Sequence, residues 1–158
     1  MFKSSLLIGA ITIAVAIAAT PSFAQDYSAD PTYGSETLQS GFTPDPFQFN
    51  LTAGGATDVS DSIGGSCRGF VADAPDFDLI FEAGSDYPLA ISVAAGEDTT
   101  LVINGPDGRW YCDDDSGDGV NPSVVFRNPD SGLYNIWVGT YENDMTSATL
   151  AVSELTTY

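Results

Sequence analysis

From Glu36 onward the apolar residues recur at every second position, and that period restricts the fold more than any other feature of the chain. Phe47-Gln48-Phe49-Asn50-Leu51, Leu89-Ala90-Ile91-Ser92-Val93, Leu101-Val102-Ile103, Leu133-Tyr134-Asn135-Ile136-Trp137-Val138 and Thr149-Leu150-Ala151-Val152 all read as strands. Turn formers stand between them: Ala53-Gly54-Gly55, Ala95-Gly96-Glu97-Asp98, Gly105-Pro106-Asp107-Gly108 and Asn128-Pro129-Asp130-Ser131-Gly132. Pro106 fixes φ and Gly108 accepts a positive φ, so Pro-Asp-Gly suits a tight reversal. After the N-terminal region no stretch of ten or more residues carries a helical stripe free of Gly and Pro. Short strands with frequent turns predict an all-β domain, an antiparallel β-sandwich of jelly-roll type, with an open barrel as the alternative.

The first 24 residues fit an export signal. Lys3 supplies the positive start, Leu6 to Ala19 is apolar but short, and Ser22-Phe23-Ala24 has the small residues a signal peptidase needs. Cleavage is expected after Ala24, with a retained anchor as the rival reading. Residues 25–35 are polar and broken by Pro31 and Gly34, which reads as a flexible leader; residues 36–158 read as the β-sandwich domain. No later stretch is apolar enough to span a bilayer, so no membrane insertion is expected after cleavage. The expected location is secreted, periplasmic or extracellular.

Charge narrows the partners. All 22 acidic residues follow the signal, where only Arg68, Arg109 and Arg127 oppose them. Nucleic acid and anionic lipid surfaces both require clustered Lys and Arg, so both are excluded as partners. Divalent cations, basic partners and simple solubility are all compatible with this balance. The abundance of Val, Ile, Leu, Phe, Tyr and Trp argues for a folded core.

Cys67 and Cys112 are the two cysteines. In an exported chain a disulfide between them is the natural reading, closing a loop of roughly 45 residues and stabilising by about 3–4 kcal/mol. Two free thiols or an intermolecular bridge are the alternatives. A zinc site would need His partners, and the chain has no His.

Immediately after Cys112 comes Asp113-Asp114-Asp115-Ser116-Gly117-Asp118-Gly119, four carboxylates within six residues. Ca²⁺ takes six to eight oxygen ligands, so Asp113, Asp115 and Asp118 with nearby carbonyls are candidate ligands. Asp98 is a candidate to complete the shell from a neighbouring loop, as are Asp76, Asp78 and Asp107. The stretch is not an EF-hand, which needs a Glu at position 12 and helical flanks. The competing reading is a solvated acidic turn whose Asp side chains bond nearby amides.

Catalysis has few means here. Without His there is no Ser-His-Asp or Cys-His site, and the lone lysine lies in the signal, which removes a Ser-Lys dyad. Paired carboxylates remain, and Asp115-Ser116-Gly117 and Asp130-Ser131-Gly132 match an aspartic-type tripeptide literally, but both sit in turn-like settings. Trp110 and Tyr111, beside the acidic stretch, are candidates to bind a glycan or protein, or else to pack on the disulfide. Trp137 is expected in the core.

The segment Glu97-Asp98-Thr99-Thr100-Leu101-Val102-Ile103-Asn104-Gly105-Pro106-Asp107-Gly108 is followed by Asp113-Asp114-Asp115. Then comes Gly132-Leu133-Tyr134-Asn135-Ile136-Trp137-Val138. This order resembles the bacterial pre-peptidase C-terminal domain, which combines an Asp-rich strand and turn, an acidic segment and a closing G-x-Y-x-I-x-V strand. The resemblance spans roughly Asp76 to Leu155. Asp98 matches the first Asp of the family strand, and Thr100 stands where the second would be. The resemblance implies a small jelly-roll-like sandwich that accompanies secreted proteases without being their catalytic part, here as a free-standing variant. The expected function is a secreted, non-catalytic accessory or binding module, stabilised by calcium, for an unidentified protein or glycan. The alternatives are a structural subunit of a surface or matrix assembly, and a carboxylate-based hydrolase.

Overall fold

A computed structural model of the protein describes residues 25–156, and the signal segment read from residues 1–24 lies outside them. The elements are β1 (Ser35–Gln39), β2 (Phe47–Gly54), β3 (Thr57–Asp58), α1 (Val59–Ser62), β4 (Phe70–Val71) and β5 (Phe77–Glu82). They continue with β6 (Leu89–Ala95), β7 (Thr99–Asn104), β8 (Trp110–Asp113), β9 (Ser123–Phe126), β10 (Gly132–Thr140) and β11 (Met145–Ser153). Two sheets pack face to face, so the chain is a β-sandwich as its alternation predicts.

The smaller sheet has the order β2-β11-β6-β9, antiparallel throughout. The larger is organised by β10. Its first half pairs with β5, which carries β1 beyond it, and residues 135–140 pair on the opposite edge with β7, which carries β8. At Thr140 the β5 edge is taken over by β4, which carries β3. One pairing departs from the antiparallel expectation: β1 lies parallel to β5, Ser35 opposite Asp78.

Between the β5 and β4 segments Val138 meets no strand on that edge. Its N–H instead donates to Asp76 Oδ2 at 2.7 Å, so a carboxylate stands in for the missing carbonyl. This accounts for a buried acid in a core. Burial pushes the Asp76 carboxyl up to about 7, against the opposing pull of the Val138 amide.

The core between the sheets takes Leu51, Phe77, Leu79, Phe81, Leu89, Ile91, Val93, Leu101, Ile103, Tyr134, Ile136, Val138, Leu150 and Val152. Each such side chain supplies about 1.5–3 kcal/mol of burial. A second cluster lies on the other face of the larger sheet. Val102 and Trp137 are covered there by Val59, Cys67 and Val71, from the segment between β3 and β4. That sheet is therefore buried on two faces over part of its width, which explains why β7 reads as a continuous apolar run. Asp58 caps α1, accepting the Ser60 N–H at 2.9 Å, and starts the cover. The cover approaches so closely that a Cβ at Gly139 would lie 2.5 Å from the Phe70 carbonyl oxygen, a gap only glycine leaves.

Residues 25–35 are expected as a flexible leader; in the fold residues 25–34 run along the sandwich as a bonded strap and Ser35 begins β1. Asp26 donates its N–H to Asp73 O, Thr32 to Pro75 O and Tyr33 to Asp76 O, and Gln25 is buried. Backbone groups drawn into sheet-like bonds with residues 73–76 outweigh the polar composition that suggested a loose segment.

Candidate functional site

The acidic stretch forms the connection from β8 to β9. Asp113 closes it: Oδ1 accepts Ser116 Oγ–H at 2.6 Å, and Oδ2 accepts the N–H groups of Ser116 (2.9 Å) and Ser123 (2.8 Å). Asn121 moors the loop to β6. Its Oδ1 accepts from Ala95 N and Thr99 Oγ, while its Nδ2 donates to Ala95 O and Asp118 O. Asp118, Ser116 and Gly117 line an open hollow of about 570 Å³ against Val93, Ala94 and Ala95.

The four candidate calcium ligands are thus divided. Asp113 is occupied by three hydrogen bonds, and Asp118 faces the β6 hollow. Asp98, on the β6–β7 turn, instead shares a field with Asp115, Asp114 and Glu142. Burial and then those three carboxylates, in that order, raise its pKa. One of its oxygens, Oδ1, is sealed from water and has no hydrogen-bond partner among the described residues. Among the described residues no group of three or more His, Cys, Asp or Glu is gathered closely enough to hold a metal ion. Asp98, Asp114, Asp115 and Glu142 make an acidic face. Sequence spacing overlooked Glu142, which reaches Asp98 only through the β10–β7 pairing that sets Thr140 opposite Thr99.

Trp110 and Tyr111 separate to the two faces of β8. Tyr111 turns inward, its ring 4.8 Å from Phe126 and its hydroxyl donating to Asp107 Oδ2 at 2.7 Å, so it is a packing residue. Trp110 turns outward, half-buried, with its ring 5.4 Å from that of Trp137. Trp137 is fully buried. The disulfide joins Cys67 to Cys112 and so ties the cover to β8.

The two Asp-Ser-Gly tripeptides serve turns. Ser116 bonds Asp113, and Ser131 Oγ accepts the Ala83 N–H. The carboxyl raised furthest, Asp76, is committed to the Val138 amide. Among the described residues the ion pair of opposite charges is Arg109 with Asp107 at 3.6 Å, on the surface. No helix among them is long and apolar enough to cross a membrane.

No protein-family model matches the chain, and no curated protein matches it. Among solved structures it is similar to the pre-peptidase C-terminal domain of a collagenase from Bacillus anthracis. That likeness has 16% identity and a TM-score of 0.45, over 75% of this chain and 94% of that one. It is also similar to PliG from Aeromonas hydrophila, a periplasmic inhibitor of g-type lysozyme, with 15% identity and a TM-score of 0.44, over 79% of this chain and 98% of that one.

Proposed function

We propose that the chain is an exported, non-catalytic binding module whose acidic face engages a cationic partner, with Ca²⁺ as its simplest counter-ion. The observation that carries this reading is Asp98: a carboxylate with one sealed, unpartnered oxygen, facing Asp114, Asp115 and Glu142 with no arginine in the group. Such an arrangement costs the isolated protein stability that a bound cation or a basic protein surface would return. The disulfide is consistent with export, since such bonds persist in oxidising compartments. The lack of His, and of Lys after residue 3, leaves no familiar nucleophile–base pair.

The test is the melting temperature of residues 25–158 in EDTA, in millimolar Ca²⁺ and in millimolar Mg²⁺ at matched ionic strength. Binding to the folded state alone stabilises by about 2.7 kcal/mol at a hundredfold excess over Kd. A rise in Ca²⁺ beyond that in Mg²⁺, abolished in Asp98→Asn with Asp115→Asn, supports the reading. The same double variant should melt higher than the parent in EDTA, because it removes repulsion. Equal curves in all three media, with no gain in the variant, would return the stretch to a solvated acidic turn.

A further inference from the structure

The outward face of the larger sheet carries an ordered row of side chains that the acidic face does not involve. Strand pairing sets Trp110 opposite Asn104, Asn104 opposite Asn135, Asn135 opposite Asp78 and Asp78 opposite Ser35. Cross-strand partners point the same way, so five residues from β8, β7, β10, β5 and β1 form one line across the sheet. None of the five is close to all the others in sequence.

The two amides at the centre of this line are recessed. Asn104 is 9% exposed and Asn135 4%, whereas Leu133 and Ile80 in the next row stand proud at 41% and 37%. Asn135 Nδ2 donates to Asp78 Oδ1 at 2.8 Å, which fixes the orientation of both groups. Asn104 makes no side-chain hydrogen bond among the described residues, and neither does Asn135 Oδ1. These atoms are not among the sealed, unpartnered ones, so they still reach the surface. Amides nine-tenths buried are ordinarily paired, since each unmade bond costs about 1–3 kcal/mol. Here the two amides are aligned across the sheet, Asn135 is held by Asp78, and both lie recessed beside Leu133 and Ile80 as the floor of a shallow trough.

Trp110 bounds one end of the trough. Its ring leans on Trp137 and is held there by the packing beside the disulfide, while part of it remains in solvent. Asp78 bounds the other end, partly buried, with Asp30 near enough to act on it. An indole face beside two amides and a carboxylate, with apolar Leu133 and Ile80 along the rim, matches one ligand chemistry well. Sugars present an apolar ring face to an aromatic and hydroxyl groups to amides and carboxylates. A cationic peptide would need more than one acid in the row, and an apolar ligand would leave the amides unpaired.

We infer that the Trp110–Asn104–Asn135–Asp78 row is a binding site for a neutral glycan chain, separate from the acidic face. From Trp110 to Asp78 the row crosses four strands, about 14 Å at the usual strand spacing, which is room for about three sugar units.

The experiment titrates the exported chain, residues 25–158, with cello-, xylo- and chito-hexaose and follows tryptophan fluorescence and heat. Saturable binding of at least one oligosaccharide is expected, with a change in the Trp110 signal. Asn104→Leu is the diagnostic variant: it removes the open amide without removing any bond the fold uses. It should melt no lower than the parent and bind about tenfold or more weakly. Failure of all three oligosaccharides to bind overturns the inference, as does undiminished binding by Asn104→Leu. The Asp98→Asn, Asp115→Asn variant should bind the glycan normally, so a failure at the acidic face and a failure in this trough are told apart.

Discussion

Leu133 and Trp137 point to the same side of the same strand, four residues and about 13 Å apart, and meet opposite conditions. Trp137 is sealed under Val59, Val71 and the disulfide, whereas Leu133 is 41% exposed. Asn135 lies between them, recessed at 4% exposure and joined to Asp78. One outward face of one sheet is thus divided into a sealed half, where cover and crosslink supply stability, and an open half, where polar groups are held in place with bonds unmade. Rigidity under the cover is what fixes the geometry of the trough beside it: Trp110 belongs to both, packing on Trp137 and edging the amides. Sites built on strands whose neighbours are locked by packing hold their geometry better than sites on loops.

The division is broken most severely from the sealed side. Trp137→Ala should cost about 3–5 kcal/mol, since a large, fully buried ring leaves a cavity under a tethered cover. Cys67→Ser should cost about 4 kcal/mol by freeing a 45-residue loop. The two sites touch, so the double variant should lose less than the sum. Leu133→Ala, the matched change on the open half, should stay within about 0.5 kcal/mol. Urea unfolding of the four variants measures this directly. A Leu133→Ala loss as large as that of Trp137→Ala would mean the two halves are not distinct.

Next in size is the joint between the halves. Asp76 bridges the gap along β10 where β5 ends and β4 has not begun, and its carboxyl is pushed up to about 7 by burial. The folded chain therefore keeps this proton where the unfolded chain, with an ordinary value of 3.8, releases it. The stability this group supplies is full below pH of about 4 and is lost as pH rises towards 7, on the order of 3–4 kcal/mol in all. Asp78 and Asp98 shift in the same direction, while Asp26, Asp58 and Asp107 are held low by local hydrogen bonds and act at more acid pH. Asp76→Asn keeps an acceptor for Val138 and cannot ionise. Its urea midpoint should exceed that of the parent at pH 8 and lose that advantage at pH 5. An unchanged difference between the two pH values would show that Asp76 is not the joint's titrating group.

The sequence made the sandwich legible because its inner face obeys a period of two: Phe47, Phe49 and Leu51, or Leu89, Ile91 and Val93, could sit in no other way. It hid what depends on a second layer. Val102 and Trp137 break the alternation because the cover buries the outward face too, and nothing in Val59 to Val71 announces that it folds back over β7. The strap was misread because its bonds are made by backbone, which leaves no mark in side-chain pattern. The acidic stretch was visible, but its division was not: Asp113 is consumed by Ser116 and Ser123, while Asp98 finds Glu142 from a different hairpin. Likewise the trough is assembled from residues 35, 78, 104, 110 and 135, which only the strand register brings together.

The smallest effect is also the sharpest test of the division. If Asn104 were part of the fold's support, removing its amide would destabilise the protein; in the open half it has no partner to lose. Asn104→Leu replaces a recessed, unbonded amide by a side chain of similar volume that prefers that environment, so a gain of about 1 kcal/mol is expected. The matched change Asn135→Leu breaks the bond to Asp78 and leaves that carboxylate without its donor, so it should instead lose about 1–2 kcal/mol. Opposite signs for two neighbouring asparagines of one row would separate the group that holds the trough in shape from the group held ready at its surface. Equal losses would place both amides in the scaffold and close the trough as a site.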